Sequence, residues 1–238
     1  MSAEFAFSRE ELDKYLKELG REFRRLNGKN AHAEVVLIGG ASVLINYEFR
    51  EMTGDADAVI YTNAAMKDAI NRVRDSNSLP DDWLSEDFKK TTSYTEKLRG
   101  VSVHYRTFSN ILHIRTITAE YLIAMKVMSG RQYKFDLSDI VGILWEHKKR
   151  GCPINRTSVD KAITELYGQD SLPEISSRLL DILFSGNVDY ERLFTQTRER
   201  EKETREVLFE FLAANPDALK KDNINDVIAH ARKQKHLD

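Results

Sequence analysis

Asp55 and Asp57 stand two positions apart in the run DADAVIY (55–61). On a strand that spacing puts both carboxylates on one side. Paired hard oxygen donors suit Mg²⁺ or Mn²⁺; Mg²⁺ in particular takes few protein carboxylates and shares its shell with substrate phosphates. Upstream, the apolar run Val35-Val36-Leu37-Ile38 ends at Gly39-Gly40, with Ser42 close behind. Glycines let a backbone approach a ligand closely, and the N–H groups at a helix N-terminus attract phosphate. A hydroxyl at Ser42 would add a donor. A phosphate cradle joined to a metal-holding pair is equipment for moving a nucleotidyl group. Acidic residues fill 38 of 238 positions, so roughly six acidic-x-acidic pairs arise by chance. The weight therefore rests on order: this is the chain's one Asp-x-Asp, downstream of Gly-Gly. The competing readings are a solvated edge strand for the acids and a plain tight turn for the glycines.

The positioning elements follow from periodicity. Ser8 and Glu11 form a Ser-x-x-Glu capping box, and Leu12, Tyr15, Leu16, Leu19, Phe23 and Leu26 recur at helical spacing up to Gly28. Val35–Ile38 lacks polar alternation and predicts a strand buried on both faces. Ala41–Phe49 continues as helix, Asp55–Tyr61 alternates as a second strand, and Asn63 caps a helix to about Arg74. Residues 75–100 read as a loop with short helical turns. Val101–Phe108 and Ile111–Ile117 predict a hairpin turning at Ser109-Asn110. Beyond Thr118 the pattern is helical throughout, and Asn215-Pro216 opens the last helix. The run Arg198–Glu206 predicts a solvated helix. Strands in the first half and helices in the second give an α/β (α+β) chain, with a boundary near Gly151-Cys152-Pro153.

A second stretch carries charge where apolar residues dominate. Lys126 interrupts Leu122, Ile123, Met125, Val127 and Met128, and a charge there must be paired or face a site. Asp136 and Asp139 lie three apart on the next helix, on one face with Ile140 and Ile143. Lys126, Arg131, Asp136 and Asp139 can staple two helices as an ion-pair network. Equally, the lysine can neutralise a triphosphate while an aspartate orients it.

The order Ile38-Gly39-Gly40, helix, then Asp55-Ala56-Asp57 on the next strand resembles the DNA polymerase β-like nucleotidyltransferase superfamily. Within it the chain looks most like the AbiEii-type proteins of abortive-infection and toxin–antitoxin systems. The stretch Glu120–Arg131 followed by Lys134-Phe135-Asp136-Leu137-Ser138-Asp139-Ile140 resembles that group's Leu-x-x-x-Lys…Arg…Lys-Asp-Leu-x-Asp-Ile segment. The resemblance covers roughly residues 30–145. It implies a nucleotidyltransferase-type mixed sheet with flanking helices over 1–150 and an all-helical domain over 151–238. It also implies transfer of a nucleoside monophosphate from a nucleoside triphosphate to an acceptor hydroxyl on RNA (a tRNA) or protein, with Mg²⁺ or Mn²⁺, and a cognate antitoxin as partner. Catalysis would fall to Asp55, Asp57, Lys126 and Asp136. Nucleotide binding would fall to Gly39, Gly40, Ser42, Lys126 and Arg131, and the metal to Asp55, Asp57 and Asp139. Many members of the superfamily place a third carboxylate on a later strand. Here those strands carry His104, Arg106, His113 and Arg115 and no acid, so either Asp136 or Asp139 completes the site or metal binding is weakened. A catalytically degenerate module for nucleotide binding or protein assembly is the alternative.

Composition bounds the rest. The formal net charge is −2, with 41% hydrophobic and 31% charged residues, eleven Gly and four Pro. That excludes collagen-like and wholly disordered chains and argues against a protein that coats nucleic acid or membrane through bulk charge. Cys152, the single cysteine, forms no internal disulfide and no cysteine zinc site, which fits a reducing, cytoplasmic setting. The start MSAEFAFSREELDKY lacks a signal-peptide pattern. The longest mostly apolar run, Val35–Ile45, falls short of the roughly 20 residues that span a bilayer.

Overall fold

The computed structural model describes residues 5–62, 64–129, 134–169, 172–215 and 224–234. Arg131, Asn63 and Pro216 lie outside the described residues. In chain order the elements begin with β1 (Phe7–Ser8), α1 (Arg9–Asn27), β2 (Ala33–Leu37) and α2 (Gly39–Asn46). Then come β3 (Met52–Thr53), β4 (Ala56–Thr62), α3 (Lys67–Asn77), β5 (Leu84–Ser85) and a 3-10 turn at Asp87–Lys90. α4 (Leu98–Val101), β6 (Ser102–Phe108), β7 (Leu112–Ile117) and α5 (Ala119–Ser129) follow. The remainder is helical: α6 (Asp136–Lys149), α7 (Arg156–Tyr167), α8 (Glu174–Leu183), α9 (Tyr190–Ala214) and α10 (Ile224–Gln234). The chain is thus a mixed α/β protein. It divides into two compact units, Met1–Met125 with Thr157–Ser171, and Lys126–Arg156 with Leu172–Asp238.

In the first unit a five-stranded sheet runs β5-β4-β2-β7-β6. β2 lies at its centre, antiparallel to β4 and parallel to β7. Its residues Val35, Val36 and Leu37, and Ile38 just after them, are all fully buried, which is why the strand shows no polar alternation. α1 starts on the reciprocal Ser8–Glu11 capping box. It lays Leu12, Leu16, Leu19 and Phe23 into one core with Val35, Leu37, Ala56, Ala58 and the α3 residues Ala69 and Val73. Each such fully buried Leu or Phe contributes about 2 kcal/mol. The β6–β7 hairpin turns at Ser109 and Asn110, with φ of +53° and +59°. Two successive left-handed residues match the right-handed twist of the flanking strands.

Two strand pairs depart from the sequence reading. β1 and β3 form a separate two-stranded ribbon, and β5 pairs in parallel with β4 inside the stretch expected to be loop. Pairs of two residues are too short to show a period of two. Trp83, fully buried beside β5, anchors that stretch to the core.

The second unit is helical. Here α9 is a single helix of 25 residues; the run Arg198–Glu206 is helical and largely solvated as expected, except that Glu201 and Thr204 within it are buried. Among the described residues, no helix is long and apolar enough to cross a membrane.

Candidate functional site

β2 and β4 bring the Gly-Gly step and the acids together. Their antiparallel register pairs Leu37 with Ala58, and one residue further on the Ile38 N–H donates to the Asp57 carbonyl at 3.0 Å. The next residue, Gly39, takes φ +54°, a conformation that an L side chain enters at a penalty of about 1–2 kcal/mol. That turn launches α2. Ile38, the N-cap, supplies no side-chain acceptor to the first turn, so the helix opens with its N–H groups uncapped by the residue before it.

The two glycines face opposite charges. A Cβ on Gly39 would lie 3.7 Å from Asp57 Oδ2, so this carboxylate is turned toward the glycine step. A Cβ on Gly40 would stand 2.8 Å from Arg50 Nη2 and 2.7 Å from Thr53 Oγ1. Arg50 is held by its Nε donating to the Met52 carbonyl at 3.2 Å, with Nη2 3.5 Å from Thr53 Oγ1. Thr53 in turn donates to the Asp55 carbonyl at 3.1 Å. Asp55 immediately precedes β4 and Asp57 lies on it; both are half-buried.

Ser42 is fully buried, and its Oγ accepts the Ile117 N–H at 2.9 Å. Its work is to join α2 to the end of β7, not to offer a hydroxyl to a ligand. On β7, Arg115 is level with Val36 of β2. It donates to Ser102 Oγ at 2.6 Å and to the Ser102 carbonyl, and Glu34 lies 3.9 Å away. Glu34 is bound more closely by Arg99, at 2.8 Å. The strand beside β2 therefore carries a guanidinium where a third acid was sought.

Lys126, Asp136 and Asp139 meet in the second unit. Lys126 Nζ lies 3.0 Å from Asp136 Oδ1 and 2.8 Å from Asp139 Oδ2, and all three are buried. Ser129 donates to Asp136 Oδ2 at 2.5 Å. Asp139, expected as a metal ligand, is instead the fully buried counter-ion of Lys126, with Arg198 a further 3.9 Å from its other oxygen. Arg198 also stacks over the Phe135 ring at 3.6 Å. Glu201 completes the cluster by accepting the N–H groups of Leu137 at 2.9 Å and Ser138 at 3.3 Å. Burial pushes its carboxyl up from 4.5 to about 7, against the pull of those N–H donors, and Asp139 adds to the rise. Glu201 borders a cavity of about 410 Å³ shared with Lys126, Asp136, Leu179 and Arg232.

The family model described as nucleotidyltransferase of unknown function (DUF6036) matches residues 14–144. The chain belongs to this nucleotidyltransferase family. The match takes in the glycine step, both aspartates and the Lys126–Asp139 segment, and ends within α6. No curated protein and no solved structure matches the chain.

Arg50, Thr53, Arg198 and Glu201 were not singled out in the sequence. Arg50 and Thr53 lie between the glycine step and the acids with no period to mark them, and Glu201 is one glutamate in a run rich in Glu and Arg.

Proposed function

We propose that the protein is a metal-dependent nucleotidyltransferase that moves a nucleoside monophosphate from a nucleoside triphosphate to an acceptor hydroxyl of RNA or protein. The observation that carries this reading is Asp57 Oδ2 turned to Gly39 at the uncapped start of α2. In it, the first-turn N–H groups of α2 bind phosphate oxygens, and Asp55 and Asp57 hold the ion. Those residues fit Mg²⁺ or Mn²⁺ by donor type, since carboxylate oxygens are the hard ligands these ions take. Two carboxylates leave the other positions to phosphates and water, which is how Mg²⁺ is usually held. When bound, the ion neutralises phosphate charge and polarises the phosphoryl oxygen. The protein's own part is positioning and a fixed electrostatic field. The motif resemblance extends the reading to AbiEii-type kinship, with a cytoplasmic toxin role and a cognate antitoxin as partner.

A second reading, a degenerate fold that binds nucleotide or a protein without transfer, draws on Arg115 and the acid-free strands β6 and β7. Thermal unfolding with Mg²⁺ and each of ATP, GTP, CTP and UTP tests the first reading's binding step. At least one triphosphate is expected to raise Tm by about 5 °C at saturating concentration. No rise with any of the four overturns the nucleotide site.

A further inference from the structure

We infer that Arg50 is the residue that reads the terminal phosphate, making the site selective for nucleoside triphosphates over diphosphates. The inference rests on the nucleotide reading above and deepens it. Gly39 and Gly40 are consecutive, yet the directions in which they lack side chains lead to opposite charges: Asp57 Oδ2 from Gly39, Arg50 Nη2 from Gly40. A polyphosphate laid across this step has its ion-binding portion on the aspartate side and a further phosphate on the arginine side. A guanidinium suits that end because its planar fork meets phosphate oxygens in paired hydrogen bonds.

Arg50 is also placed in advance. Its Nε is tied to the Met52 carbonyl, and Nη2 approaches the Thr53 hydroxyl. Met52 and Thr53 are β3, and β3 is paired with Phe7 and Ser8 of β1, with Phe7 fully buried in the core. The short ribbon that periodicity did not reveal is therefore the platform that fixes this guanidinium. Gly40 is required by the same packing. Any side chain there meets both Thr53 Oγ1 and Arg50 at under 3 Å.

The test is calorimetric binding of ATP and ADP, and of the other nucleotide pairs, in Mg²⁺ to wild type, Arg50→Ala and Arg50→Lys. Binding is read instead of turnover, so loss of catalysis alone does not enter. Wild type is expected to prefer the triphosphate by about tenfold or more, the scale of charge-assisted hydrogen bonds. Arg50→Ala is expected to bring the ratio near one while leaving diphosphate affinity within about twofold. Arg50→Lys keeps the charge without the fork and should fall between; it also carries the test if the alanine variant fails to fold. An unchanged ratio in the variants overturns the inference, as does parallel weakening of both nucleotides. Wild type that binds neither nucleotide overturns the nucleotide reading itself, so the two failures are distinct.

Discussion

The carboxylate of Glu201, from the middle of α9, accepts the backbone N–H of Leu137 in the first turn of α6 at 2.9 Å. A helix start needs acceptors for its first N–H groups, and here a distant residue provides one. Glu201 is held at about 7 against its ordinary 4.5. The folded state therefore binds the proton more tightly than the unfolded chain. By linkage, this residue's contribution is full below about 4.5 and is lost as pH rises toward about 7. The whole swing is on the order of 3 kcal/mol. Urea unfolding from pH 5 to 8 should show Glu201→Gln flattening the decline. A Gln variant with the wild-type slope would show that Glu201 does not titrate in this window.

Lys126 pairs with two buried carboxylates, Asp136 and Asp139. Lys126→Met leaves Asp136 and Asp139 buried without it, so stability should fall by about 3–5 kcal/mol. Combining it with Asp136→Asn and Asp139→Asn should recover part of that loss, since the charges that needed the lysine are gone. Additive losses in denaturant unfolding would mean that the three side chains act independently.

The Ser42 hydroxyl accepts the Ile117 N–H inside the core. Ser42→Ala leaves that donor unsatisfied and should destabilise the protein by about 1–3 kcal/mol. Triphosphate affinity of the folded variant should stay at the wild-type value. A tenfold loss of affinity at unchanged stability would return Ser42 to the ligand.

The two glycines should fail differently. Gly39→Ala forces a left-handed φ on a residue with a Cβ, a destabilisation of about 1–2 kcal/mol. Gly40→Ala drives a methyl into Thr53 and Arg50, and triphosphate affinity should drop while diphosphate affinity changes less. Equal effects of the two substitutions on Tm and on both nucleotides would contradict the separate roles.

Much of this arrangement was legible in the residues themselves. β2 announced its burial by carrying no polar alternation, Gly39-Gly40 marked the turn, and the strand expected over Asp55–Tyr61 formed as β4, with Asp57 on it and Asp55 just before it. Ser109-Asn110 named the hairpin. What escaped were contacts that join residues far apart or too short in extent to form a pattern. Ser42 looked like a ligand donor because its partner, the Ile117 N–H, lies 75 positions away. The β1–β3 ribbon spans two residues per strand, and Glu201 is chemically indistinguishable in sequence from its solvated neighbours.

The most direct measurement is transfer of label from α-³²P nucleoside triphosphates, with Mg²⁺, to cell RNA and protein fractions. Wild type should label an acceptor. Asp57→Asn and Asp55→Asn, with unfolding midpoints close to wild type, should not. Equal labelling by wild type and both variants, or none by wild type with any of the four triphosphates, would contradict a transferase centred on the glycine step and its paired acids.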